Sequence, residues 1–197
     1  FANRDKESGE SGSVLEEEAV QYVAISFGDD GWKRPGFTTL VRGASLDDPD
    51  AEIAVDYVAH AKETFKRTGE QKPFERDVMA RLGQNLFKQS KHAQAVAALS
   101  FALELDPMHR DAPKLQDMVV QAWVRERQFD KANAARDVLV ANYGKGTPWY
   151  KRFGNDSEAL NQAETLARTN LYSAALYYHQ QASEYYSQEK QEVALQY

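Results

Sequence analysis

The feature that most constrains this chain is a run of apolar and small residues at fixed spacing between residues 76 and 109. Large apolar residues recur there every three or four positions, which is the spacing of one face of an α-helix. Small residues at helical spacing follow a short polar break. The landmarks are Met79, Leu82, Gly83 and Leu86 before the break, Ala95, Leu99 and Ala102 after it, and Pro107 at the end.

These landmarks predict two antiparallel helices that pack closely. Gly83 and the alanines lack bulk, so that the two helix backbones can approach each other. The polar residues 90–92 predict the turn between the helices. Pro107 ends the second helix, because proline has no backbone N–H to donate and disfavours helix in the residue before it. The sequence therefore predicts an all-α fold made of helix-turn-helix hairpins.

The same signal returns twice along the chain. His92, Phe129 and Tyr172 are each followed three positions later by alanine, and the spacings between them are 37 and 43 residues. We predict hairpins over 76–109, 111–143 and 156–190, the last with helices at 157–168 and 173–190. A loop is predicted around Gly144, Gly146 and Pro148, between the second and third hairpins. Each hairpin leaves an apolar face that a neighbour must cover, so the repeats predict an α-solenoid.

The N-terminal part of the chain lacks this signal. Residues 1–13 are polar and predict a flexible tail. Residues 14–75 predict a pair of helices: one opened by a capping box of Ser13 and Glu16, and one ending near Arg67. Four glycines and two prolines within 28–49 predict an irregular connection between them.

The stretch 76–109 resembles the tetratricopeptide repeat, which has a period of 34 residues and the pattern W-x2-L-G-x2-Y…A-x3-F…P. Gly83, Ala95 and Pro107 match the pattern, and other apolar residues stand at the aromatic positions. The resemblance covers residues 76–190. It implies a scaffold whose groove, lined by the first helix of each pair, binds a peptide or a helix of a protein partner.

A narrower resemblance is to repeat proteins of the cell envelope of delta-proteobacteria and their relatives. It is carried by the sequences at 21–27, 109–116, 119–120, 146–150 and 178–182. Such proteins are scaffolds of gliding-motility complexes or of outer-membrane assembly, which implies a periplasmic or outer-membrane-associated location, with the cytoplasm as the alternative. The cysteine that would carry the lipid of a lipoprotein is missing here.

Composition excludes several other classes of function. The chain has 30 acidic and 24 basic residues, a formal net charge of −6, which argues against binding a phosphate backbone. No apolar run reaches the roughly 20 residues of a membrane-spanning helix. There is no cysteine, and no two of the four histidines are spaced i, i+4, so we expect no metal and no cofactor. We find no catalytic motif and expect no enzyme activity.

The candidate partner-binding residues lie at the predicted groove and on the last helix. From the groove we choose Gln84, Phe87 and Lys88 of the first repeat with Gln121 and Arg125 of the second. From the last helix we choose Tyr177 and Tyr185, because two pairs of adjacent tyrosines cannot all be buried on one narrow stripe. These polar positions are equally compatible with a merely solvated surface.

Three hypotheses of function follow. The first is a non-catalytic scaffold that holds protein partners in a cell-envelope complex. The second is a structural subunit embedded permanently in a larger motor, filament or enzyme complex. The third is an accessory domain of a hydrolase. We expect the last helix to be a cap or a docking surface, or the chain to continue beyond Tyr197.

Overall fold

The structure, a computed structural model, describes residues 10–28, 57–67, 74–187 and 191–196. These residues form helices joined by turns and contain no strand, as the predicted all-α class requires. The helices are α1 (Glu10–Phe27), α2 (Tyr57–Arg67), α3 (Glu75–Lys88), α4 (His92–Leu105), α5 (Ala112–Arg125), α6 (Phe129–Tyr143), α7 (Pro148–Arg152), α8 (Ser157–Ser187) and α9 (Gln191–Gln196). They belong to two compact units that divide between Pro107 and Met108.

Helices α3 and α4 form the predicted first hairpin. Leu82 and Leu86 of α3 and Leu99 of α4 are fully buried. A Cβ atom at Gly83 would lie 2.6 Å from the Cγ atom of Leu99 and 3.1 Å from its backbone nitrogen. Glycine is therefore favoured at this position, because a larger residue would displace the side chain of Leu99 and shift the backbone of α4.

The first hairpin carries the packing of its unit. Helices α1 and α2 both pack against α3, and α2 also packs against α4. The ring of Phe27 at the end of α1 lies edge-on to the rings of Phe65 and His60 of α2, with centroids 5.6 Å apart in each pair. The two N-terminal helices thus share one unit with the first hairpin.

Helices α5 and α6 form the predicted second hairpin. The buried side chain of Gln116 donates a hydrogen bond of 2.9 Å from Nε2 to the backbone oxygen of Ala135, which joins the two helices. The short helix α7 follows, capped by the side chain of Thr147 with Pro148 in its first turn. A pure loop was predicted there, and this part of the prediction is wrong because a threonine cap followed by proline starts a helical turn.

The side chain of Trp149 fixes α7 in the second unit. It is 1% exposed, and its Nε1 atom donates a hydrogen bond of 2.8 Å to the backbone oxygen of His109. Its ring lies edge-on to Tyr143 of α6 and stacks at a tilt on Phe153. The segment after the second hairpin is therefore part of the core.

The third predicted hairpin, with helices over 157–168 and 173–190, is wrong. A single helix, α8, runs from Ser157 to Ser187 through the predicted turn. Its first half packs on α5 and α6, where Ala159, Ala163 and Asn170 are buried. The reason is tertiary: Asn170 is buried and its side chain donates a hydrogen bond to Asp117 of α5, which stabilises the helical conformation at this residue.

The start of α1 also differs from the prediction. The helix is present from Glu10, so Ser13 lies inside it and is not its N-cap, and residues 10–13 do not belong to the predicted tail. Glu10 places an acidic side chain in the first turn of the longer helix, where negative charge is favourable. The tail over 1–9, the irregular connection over 29–49 and the start of the helix predicted before Tyr57 lie outside the described residues.

Candidate partner-binding surface

The two hairpins end their first helices with the same turn. Ser90 and Arg127 both have a positive φ, 62° and 56°. The backbone N–H of Ser90 donates to the oxygen of Phe87, and the N–H of Lys91 donates to the oxygen of Leu86. Arg127 donates in the same way to Val124, and Gln128 to Trp123. This pair of bonds is the Schellman motif, so the two hairpins are built alike and lie 37 residues apart.

The candidate residues of α3 have unequal access to solvent. Lys88 is exposed, whereas Gln84 is half-buried and its Oε1 accepts a bond of 3.4 Å from the Nη1 atom of Arg81. Phe87 is half-buried, with its ring edge-on to His92 at 5.4 Å. Ala80, one helical turn before Gln84, is 5% exposed and belongs to the core.

The candidate residues of α5 lie in the other unit. Gln121 and Arg125 are both exposed. Gln121 donates from Nε2 to the Oδ2 atom of Asp117, which orders its side chain along the helix. The prediction places these residues in one groove with those of α3, and this remains a prediction.

The tyrosines of α8 divide between a packed and an open side. Tyr177 is half-buried and its ring stacks at a tilt on Phe129 of α6, with centroids 5.5 Å apart. Tyr185 is half-buried as well. Tyr186 is instead 66% exposed. Tyr177 thus faces α6, and both chosen tyrosines are less exposed than Tyr186.

The open side of α8 carries large apolar residues that the sequence argument missed. Leu171, Tyr172 and Leu176 are 54%, 66% and 50% exposed. Among the described side chains of α8 after Asn170, none is buried. We call Leu171, Tyr172, Leu176 and Tyr186 the open side of α8. The sequence does indicate an apolar surface here, since residues 171–187 contain one charged residue, Glu184, whereas a solvated helix normally carries many.

A polar cluster holds the first half of α8 on the second hairpin. The Nδ2 atom of Asn170 donates 2.6 Å to the Oδ1 atom of Asp117 on α5 and 2.9 Å to the backbone oxygen of Leu166. On α6, the Nη1 atom of Arg136 donates to the Oδ1 atom of Asn133. Burial lowers the pKa of the Arg136 guanidinium, and the charge of Asp117 opposes this shift. The bond from Asn170 to Asp117 fixes the register of α8, because burying the amide of Asn170 without a partner is unfavourable.

An ion-pair network holds the start of α8. The Nε atom of Arg110 lies 2.7 Å from the Oδ2 atom of Asp156, and its Nη2 atom lies 2.8 Å from the Oε2 atom of Glu158. Asp156 also caps the helix, since its Oδ1 atom accepts from the backbone N–H of Ala159 at 3.0 Å. Hydrogen bonds from Arg110 and from that N–H lower the pKa of Asp156. These bonds position α8 at its first residue.

The remaining observations concern metals and membranes. In the part of the chain that the structure describes, no three His, Asp or Glu side chains are placed to hold a metal ion. None of the described helices combines the length and the apolar character that crossing a membrane requires.

Comparison of the chain with models of protein families, with curated proteins and with solved structures gave no match.

Proposed function

We propose that this chain is a non-catalytic scaffold that binds protein partners, and that the open side of α8 is its main docking surface. The observation that carries the proposal is the exposure of Leu171, Tyr172 and Leu176, each at least half accessible on a helix whose first half is packed. Contiguous apolar surface of this kind commonly marks an interaction site. Tyrosine suits such a surface, because its ring is apolar and its hydroxyl group is polar.

We further propose that α3–α4 and α5–α6 are successive repeats of a tetratricopeptide-type solenoid. Their shared turn, with a positive φ at Ser90 and at Arg127, supports this assignment. Within the first repeat the proposed contact residues are the exposed Lys88 and the half-buried Gln84 and Phe87, and within the second repeat they are the exposed Gln121 and Arg125. An amphipathic helix or an extended peptide is the kind of ligand that a helical groove accepts.

We propose a location in the cell envelope, at the periplasmic side or on the outer membrane, from the sequence resemblance. Fractionation of the source cells, with detection of this chain, tests the location separately from the binding activity. Recovery in the periplasmic or outer-membrane fraction supports it, and recovery in the cytoplasm contradicts it without affecting the docking surface.

A permanently embedded subunit is the second candidate. It is favoured by apolar exposure at other places, since Tyr22 and Ile25 of α1 are 70% and 49% exposed and Leu195 of α9 is 88% exposed. A subunit of this kind copurifies in fixed stoichiometry and does not exchange. A scaffold releases its partner on dilution and binds it again, so exchange with tagged free chain separates the two candidates.

The docking surface is tested by capture of partners from the source cells. The test variant is Tyr172→Glu with Leu176→Glu, which places two charges on the open side. The matched control is Asn161→Glu with Thr165→Glu, which adds the same charges at the same spacing to exposed positions of the first half. We expect the control to capture the same proteins as the wild-type chain. We expect the test variant to capture about tenfold less of them, a difference of ~1.4 kcal/mol in the free energy of binding. Equal capture by both variants contradicts the proposal.

The groove is tested in the same assay by Lys88→Glu with Arg125→Glu. Reversal of exposed charges at a rim mainly slows association. We expect weaker capture at low salt and a smaller difference at high salt. Capture that is unchanged at both salt concentrations removes the groove residues from the proposal and leaves the open side of α8 as the docking surface.

A further inference from the structure

The sequence of α8 continues the pattern of the first two hairpins, but the chain stays helical where the turn is expected. In the first two hairpins, the residue with positive φ stands two positions before the residue that opens the second helix: Ser90 before His92, and Arg127 before Phe129. The third member of the series, Tyr172, places Asn170 at the corresponding position. Asparagine tolerates a positive φ better than other residues with a side chain. The sequence at 170 therefore suits the turn, although the residue is helical here.

One hydrogen-bonded contact holds Asn170 in the helical state. Asn170 is 4% exposed, and its Nδ2 atom binds the Oδ1 atom of Asp117 at 2.6 Å. The same atom donates to the backbone oxygen of Leu166, one helical turn earlier. A left-handed conformation at residue 170 redirects the chain after it and withdraws the side chain from this position. Asp117 thus acts as a latch for the straight form of α8.

Each half of α8 leaves apolar side chains that are only partly buried. In the first half, Leu160, Leu166 and Ala167 are only half-buried. In the second half, Leu176 is 50% exposed and Tyr186 is 66% exposed. Removal of such surface from water favours a folded-back arrangement. The straight helix lacks most of this contribution in its second half, where Tyr177 contacts Phe129 of α6, while α9 also packs against α8.

We propose that α8 has two states: the straight helix of the structure and a third hairpin, in which the chain turns at Asn170 and residues 173–187 pack on residues 157–168. The two states belong to the chain alone and do not depend on a partner. Their consequence for binding rests on the proposed function, because the hairpin state covers part of the open side of α8. The latch at Asp117 then controls access to the docking surface.

Distances between two spin labels on the full chain test this proposal. The chain has no cysteine, so Asn161→Cys with Gln180→Cys gives two labelled sites, both at exposed positions. In a straight helix these residues lie about 28 Å apart, at 1.5 Å per residue. In a hairpin they lie about 10 Å apart, the separation of packed helix axes. We expect both distances in the wild-type background.

Two substitutions of the turn residue separate the latch from the turn. Asn170→Gly and Asn170→Ala both remove the contact with Asp117, but glycine adopts positive φ freely while alanine favours helix. We expect the population of chains with the short distance to increase several-fold, relative to the population with the long distance, in Asn170→Gly. We expect it to decrease in Asn170→Ala. The label pair Gln121→Cys with Ala134→Cys, at exposed positions of α5 and α6, keeps one short distance in both if the second hairpin is intact.

Two results overturn the proposal. The first is a single long distance in both the wild-type background and Asn170→Gly. The second is a short distance that disappears when labelled chain is diluted with unlabelled chain, because this distance then joins two molecules. A short distance that survives dilution and responds to the two substitutions in opposite directions supports the two states.

Discussion

At the scale of single residues, Gly83 leaves very little room for a larger side chain. Gly83→Ala places a Cβ atom 2.6 Å from the Cγ atom of Leu99 and 3.1 Å from its backbone nitrogen. The leucine side chain can turn away, but the backbone of α4 must move as a whole. We expect Gly83→Ala to lower the free energy of unfolding by about 1–3 kcal/mol, as overpacking does. Urea denaturation followed by circular dichroism measures the loss.

The double variant shows whether this loss comes from contact with Leu99. Leu99→Ala alone removes a fully buried side chain and costs about 2–5 kcal/mol. In that background Gly83→Ala meets less side chain, and its own cost falls if the contact is the cause. An unchanged cost assigns the effect to the backbone alone, and a Gly83→Ala variant as stable as the wild-type chain contradicts the packing described here.

The two left-handed residues lead to a stabilising prediction. Ser90 and Arg127 have φ values of 62° and 56°, a conformation that is unfavourable for residues with a Cβ atom. Ser90→Gly and Arg127→Gly relieve this cost, and we expect each to raise the free energy of unfolding by about 1 kcal/mol. Ser90→Ala is the control, because alanine keeps the unfavourable conformation. A gain with alanine equal to that with glycine excludes this explanation.

At the scale of helices, the start of α8 responds to pH through Asp156. Its pKa is held below the ordinary value by hydrogen bonds from Arg110 and from the N–H of Ala159. Because the pKa of the folded state is the lower one, this stabilisation is complete above the unfolded value of about 3.9. It is lost as the pH falls through the lower folded value. Acidification below pH 4 therefore loosens the network of Arg110, Asp156 and Glu158.

Asp156→Asn isolates this charge, since asparagine caps a helix as well as aspartate does. We expect a lower melting temperature than that of the wild-type chain at pH 7 and a smaller difference at pH 3. Thermal denaturation of both chains at the two pH values measures this. A difference that is the same at both pH values would indicate that the cap, rather than the ion pair, carries the contribution of Asp156.

The helices also show which kinds of sequence signal were sufficient to predict the fold. The first hairpin was predictable, because the apolar stripe of Leu82 and Leu86, the small residue Gly83 and the stop at Pro107 all favour the same arrangement. The straight form of α8 was not predictable from its repeat signal. Tyr172 and Ala175 match the pattern of a second helix, but the conformation of Asn170 depends on Asp117, which lies 53 residues away.

The exposed face of α8 was only partly predictable for the same reason. Tyr177 and Tyr185 were chosen for the crowding of tyrosines on this helix, together with a predicted turn before them. In the straight helix Tyr177 faces Phe129, and the exposed residues are Leu171, Tyr172 and Leu176. A tyrosine-rich composition indicates an interface, whereas the side of the helix that carries it follows from tertiary packing.

At the scale of the whole molecule, α8 has a well-packed first half and a more exposed second half. The polar cluster and buried alanines hold the first half, and the second half carries the exposed apolar residues of the proposed docking surface. Segments with few buried contacts open more readily than the core, and amide hydrogen exchange detects such opening. The two halves of one helix therefore provide an internal comparison.

Hydrogen exchange of the free chain tests this central claim most directly. We predict that amides of residues 171–187 exchange at least about tenfold faster than those of residues 157–170, because their opening costs far less than that of the core. Addition of a captured partner is predicted to slow exchange in 171–187 and to leave 157–170 unchanged. Equal protection of both halves in the free chain, or a bound partner that leaves 171–187 unprotected, would contradict the account.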